Sequence, residues 1–340
     1  MKKENLNKST QSNYAKHSVL DFIKNVFTPN KNYTTQPKDS TKPKKEYFFS
    51  FARSIISSKM ELGKLRTAET YTASLNSFKR FRKNKDILLN NINSDVITAY
   101  EYYLTNNGVC PNTSSFYMRN LRAIYNQAVE KELTTQQFPF KHVYTGVEKT
   151  IKRAIPMNTI KQIKEIDLTM KPALDYARDM FMFSFYTRGM SFVDMAYLRQ
   201  KDLNGEILSY RRRKTGQRLY IKWEKCMDEI VNKYKNPNNF YLLPIIDPES
   251  DTDKRKQYLQ MAQYVNRNLK AIGNILDLDI PLTMYVSRHS WASIAKSKKI
   301  PLSVISEGMG HDSERTTQIY LTSLDTAELD KANRTILNSL

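Results

Sequence analysis

The sequence predicts a mainly α-helical chain in two folded parts, the second carrying a small antiparallel β-sheet. Three observations lead there. Apolar residues recur at helical spacing through most of the chain. Between Glu206 and Trp223 the pattern changes to strand alternation around turn signals. A stretch with little periodicity, containing Pro139, separates two long periodic regions. At 340 residues the chain is long enough for each part to bury its own core.

Residues 1–45 are rich in Lys, Asn, Thr, Ser and Gln, with one apolar patch from Val19 to Phe27. They read as a flexible basic arm with a short helix at the patch. Residues 46–136 read as a helical domain. Phe48, Phe51, Ala52, Ile55 and Ile56 form one stripe, and Tyr71, Leu75, Phe78 and Phe81 form a second. Lys79, Arg80, Arg82 and Lys83 fall on the polar side of that second helix. A third helix, Val96–Leu104, stops at Asn106-Asn107-Gly108, and a fourth opens at Pro111 and runs to Val129. Residues 137–152 read as a linker.

The second domain is 153–340. Helices are expected over Ile160–Ile166, Ala173–Tyr186, Tyr258–Leu276, Tyr285–Lys298, Leu302–Met309 and from Glu314 onward. Asn204-Gly205 and Lys214-Thr215-Gly216 are turn signals bracketing a strand from Ile207 to Arg212. Leu219, Ile221 and Trp223 alternate with polar positions in the return strand. Leu324, Leu329, Ala332, Ile336 and Leu337 make the last helix amphipathic.

Charge narrows the function classes. Fifty-four Lys and Arg against 34 Asp and Glu give a net charge of +20, spread along the whole chain. Such an excess suits a polyanion, whose condensed counterions are released on binding. Cys110 and Cys226 lie far apart with no histidine at ligand spacing, so neither a disulfide framework nor a zinc site is expected. No apolar run reaches the ~18 residues of a membrane span, and the first residues lack a signal-peptide core. A cytoplasmic protein is expected.

Four segments carry chemistry. Gly310-His311 is followed by Thr316, Thr317 and Tyr320, the tyrosine nine residues after the histidine. Tyr285-Val286-Ser287-Arg288-His289-Ser290-Trp291-Ala292 puts Tyr285 and Arg288 three apart, on one helix face. Thr187-Arg188-Gly189 precedes Asp194. Lys214 sits in the hairpin turn. These boxes, in this order, resemble the tyrosine recombinase (phage integrase) family, closely in the second domain and by position and type only in the first. There are two departures. Tyr285 stands where the family has a histidine, and Arg188 precedes the acidic residue by six positions rather than three.

The resemblance implies a site-specific recombinase that cleaves and rejoins DNA through a 3′-phosphotyrosine on Tyr320. It implies the tyrosine recombinase fold, with a helical core-binding domain and a catalytic domain. Arg188 and Arg288 would grip the phosphate, because guanidinium is bidentate and always charged. Lys214 would protonate the leaving 5′ oxygen. His311 would contact the phosphate or position the tyrosine, and Tyr285 would donate a hydrogen bond to phosphate. Asp194 and His289 would support them. No cofactor and no metal are implied. The implied partners are double-stranded DNA sites, a homo-tetramer on two paired sites and an accessory DNA-bending protein. A type IB topoisomerase shares the chemistry, and a catalytically idle DNA-binding protein is a third class. The amphipathic last helix favours the recombinase, and the presence of Tyr320 and the arginines counts against the idle protein.

Overall fold

The computed structural model describes residues 46–148, 153–311, 313–321, 334 and 336–338. The arm at 1–45 and the positions Leu324, Leu329 and Ala332 lie outside them. The chain divides into two compact units, Met1–Lys149 and Thr150–Leu340.

Among the described residues four α-helices build the first unit: α1 Phe48–Glu61, α2 Leu65–Phe81, α3 Ser94–Asn106 and α4 Pro111–Glu130. Their apolar stripes meet in one core. Phe48, Phe49, Phe81 and Tyr100 surround the fully buried Phe78, with Phe78 and Tyr100 edge to face at 5.0 Å. Burying a ring of this size stabilises by roughly 1.5–3 kcal/mol. The Tyr100 hydroxyl is carried inside with it and donates to Ser77 Oγ at 2.7 Å. Asn93 starts α3 by accepting the Val96 N–H at 3.0 Å, and Gly108, at φ +70°, follows its end. Two details differ from the sequence reading. Arg82 is buried rather than on the polar face, because α2 ends at Phe81 and the chain turns through positive φ at Lys83 and Asn84. Phe140 and Val143, within the stretch read as linker, fill part of this core.

The second unit contains α5 Met157–Glu165, α6 Pro172–Tyr186 and α7 Phe192–Ala196. The sheet follows, with β1 Leu203–Asn204, β2 Ile207–Arg211 and β3 Arg218–Lys222, and then α8 Lys225–Lys233. The remaining described helices are α9 Lys254–Ile275, α10 Met284–Ser297, α11 Leu302–Met309 and α12 Glu314–Leu321. The unit is mainly helical with one small antiparallel sheet, as the sequence predicts. The strands run in the order β1-β2-β3, with Tyr210 opposite Leu219 and Arg211 opposite Arg218. Strand alternation buries Leu208, Tyr210, Leu219 and Ile221 on one face. The two-residue β1 is too short to show periodicity, and the sequence reading missed it.

Helix α6 packs against both α9 and α10 and carries Met180, Phe181 and Phe183 into the core. Its polar edge is tied to α8 through Asp179, which accepts from Arg178, Lys233 and Tyr234. A carboxylate this buried persists only with such partners. Ile336 and Leu337 are exposed, and no described helix is long and apolar enough to cross a membrane.

Candidate active site

The β2–β3 hairpin, the start of α10 and the α11–α12 connection meet around a cleft of about 730 Å³. Arg212, Lys214, Tyr285, Arg288 and His311 line it. Three of these are basic side chains, and the described lining contains no carboxylate. The cleft is therefore built for an anion.

Arg288 is its most constrained side chain, only 6% exposed. It donates to the Gly189 and Met309 carbonyls, each at 2.7 Å, and its Nη2 lies 3.0 Å from His311 Nε2. Guanidinium has only donors, so Nε2 must accept. The imidazole proton then sits on Nδ1, which donates to Thr317 Oγ1 at 2.7 Å. This chain of bonds fixes the ring's orientation and tautomer from two helices. Burial, together with the charges of Arg288, Arg212 and Lys214, pushes the His311 pKa down to about 4. His311 is therefore uncharged at neutral pH.

Two glycines make the close approach possible. A Cβ on Gly189 would lie 2.7 Å from the Arg288 Cα, and Gly189 has φ +73°. Gly310 closes α11 in the left-handed conformation, and its carbonyl accepts from the Arg212 guanidinium. Asp194, almost fully buried, accepts the Arg213 N–H at 2.9 Å and bonds Ser191 Oγ at 2.6 Å. It thereby anchors the hairpin that carries Lys214.

The structure brings Lys214, Tyr285, Arg288 and His311 together, with Asp194 just behind the hairpin. His289 is buried and sits edge-on to the Tyr285 ring, with centroids 4.4 Å apart. Arg188 does not line the cleft. It follows the end of α6 at φ +61°, and its Cδ lies near Gly308 of α11, 3.5 Å from where a Cβ there would sit. The second buried arginine of the cleft, beside Arg288, is Arg212, which the sequence reading passed over within a run of four cations. Tyr320 lies on α12, three residues past Thr317, and its side chain is outside the described residues.

Residues 157–327 match the family model described as the phage integrase family, and residues 47–144 match the phage integrase SAM-like domain. The chain belongs to the phage integrase family of tyrosine recombinases. Solved structures agree with that fold. A lambda integrase dimer bound to a COC′ core site superposes with TM-score 0.62 at 15% identity, covering 81% of the recombinase and 77% of that chain. XerH recombinase on a palindromic difH substrate gives 0.62 at 16%, covering 84% of each chain. The Tn1549 transposon integrase with transposon right end DNA gives 0.60 at 12%, covering 86% of the recombinase and all of that chain. At these identities the likeness is one of fold.

Proposed function

We propose that the cleft between the hairpin and α10 holds a scissile phosphodiester, and that Tyr320 is the nucleophile. The observation that carries this reading is the Arg288–His311–Thr317 hydrogen-bond chain, which ties the cationic cleft to the helix bearing Tyr320. The Tyr320 oxygen attacks phosphorus, forming a 3′-phosphotyrosine as the bond to the 5′ oxygen breaks. Arg288 and Arg212 neutralise the charge that builds on the non-bridging oxygens. In this reading Arg212 takes the role that the sequence assigned to Arg188. Lys214 gives its proton to the departing 5′ oxygen. His311 Nε2 receives the phenol proton once the phosphate draws the Arg288 guanidinium off that lone pair and its charge offsets the three cations that add to burial in depressing the ring's pKa. Tyr285 donates to a phosphate oxygen. Asp194 and His289 position the hairpin and the Tyr285 ring. Rejoining reverses each transfer, so the step balances without a cofactor.

The partner is double-stranded DNA carrying recombination sites. The helical unit serves as the core-binding domain, and the basic arm adds contacts. The reaction takes place in a homo-tetramer on two paired sites, with the C-terminal segment docking on a neighbouring copy and an accessory protein bending the DNA. Trapping on a nicked duplex tests the core of this reading. Tyr320→Phe is expected to bind DNA normally and form no covalent adduct. An adduct at wild-type yield would reject Tyr320, and peptide mapping would show which residue reacts.

A further inference from the structure

The run Arg211-Arg212-Arg213-Lys214 reads in sequence as one basic patch, but the end of β2 and the turn after it divide its side chains between two cavities. Arg212 and Lys214 line the cleft described above. Arg211 and Arg213 line a different cavity, of about 840 Å³, together with Arg199, Lys201, Arg218 and Lys254. Two carboxylates oppose these six cations. Asp194 is engaged with Ser191 and the hairpin backbone, and Asp202 pairs with Arg199 at 3.5 Å. Among the described residues no carboxylate pairs with Lys201, Arg211 or Arg218.

The sheet sharpens the point. Arg211 and Arg218 are directly opposite each other on the exposed face of β2 and β3, where like charges repel. A phosphate between them would remove that cost. Exposed rings interleave with the cations. Phe240 is 46% exposed, with Lys254 Nζ 5.6 Å from its ring centre, and Tyr220 is 59% exposed on the same sheet face as Arg218. Cations hold the phosphates of any nucleic acid, but exposed rings add affinity only where base faces are available to stack. A duplex hides those faces.

We propose that this cavity and the adjoining sheet face form a second nucleic-acid site, for an unpaired DNA strand, separate from the cleft that holds the scissile phosphate. It deepens the proposed function, because strand transfer releases such strands, but its test needs no reaction. The full chain is titrated with a fluorescent oligothymidylate of about 12 nucleotides and with a duplex of equal length. Phe240→Ala is expected to weaken single-strand binding about 10-fold, the loss of one stacked base, and duplex binding by less than about 2-fold. Phe240→Trp should restore the single-strand affinity. Arg218→Ala should lower the slope of log affinity against log salt for the single strand by about 0.7. Equal losses for both probes, or no loss for either, would overturn the proposal. So would a tryptophan variant as weak as the alanine one at matched thermal stability. Adduct formation on a nicked duplex is scored separately. No adduct, with single-strand binding still dependent on Phe240, would reject the transesterification reading and leave this site standing.

Discussion

Burial, with three cations facing the ring, keeps His311 uncharged, and the sign of its pH effect follows. Its pKa is about 4 in the folded chain against 6.5 ordinarily. Between those values the unfolded state binds more protons, so stability is complete above about 6.5 and falls as pH drops toward 4. The wild-type urea midpoint is expected to fall between pH 7 and pH 5, and that of His311→Gln to fall less; equal falls would exclude His311 as the titrating group. Tyr285 is 59% exposed at the cleft mouth, with its ring edge-on to His289. If its hydroxyl donates to phosphate, Tyr285→Phe slows single-turnover cleavage by on the order of 10-fold to 100-fold, and Tyr285→His keeps much of the rate. A wild-type rate in the phenylalanine variant would leave Tyr285 only the packing on His289. Arg288 and His311 could be read from the sequence because each sits in a compact box. Arg212 could not. Four consecutive cations look alike until the folded turn after β2 fixes which of them line the cleft.

At the scale of the elements, the hairpin was the most readable feature, because turn residues and alternation agree there. The helix ends were readable where capping chemistry is local, as at Pro111 and Gly108. The burial of Arg82 was not, since it depends on where α2 stops rather than on its periodicity. Nor was the crossing of α10 over Gly189, which involves residues about a hundred positions apart. That crossing carries a prediction. In Gly189→Ala the new methyl meets the Arg288 Cα on α10 together with the Cβ and Cγ at the root of its side chain, at a positive φ that alanine resists. Backbone strain of this kind costs on the order of 1–3 kcal/mol, and relief requires α10 to move away with Arg288. The denaturant midpoint should fall, and cleavage should be lost even at temperatures where the variant remains folded. Normal cleavage at a lowered midpoint would mean that Arg288 tolerates the displacement.

Over the whole molecule, charge decides how the recombinase meets DNA. Residues 1–45 contain ten lysines against three acidic residues, a net +7 of the chain's +20. Their structure lies outside the described residues, but the charge acts wherever they lie within reach of the duplex. Each phosphate contact contributes about 0.9 to the slope of log affinity against log salt on duplex DNA. If all seven net charges engage, deleting 1–45 lowers that slope by about six; partial engagement lowers it less. The change should be uniform across DNA sequences, because phosphate contacts position a protein without reading bases. Titrations of the full-length and truncated chains on a core site and on unrelated DNA, at several salt concentrations, measure both effects together. An unchanged slope would show that the arm makes no contact with DNA. A slope that changes on the core site alone would show instead that the arm reads sequence, and residues 1–45 would then belong with the specificity of the enzyme rather than with its general affinity.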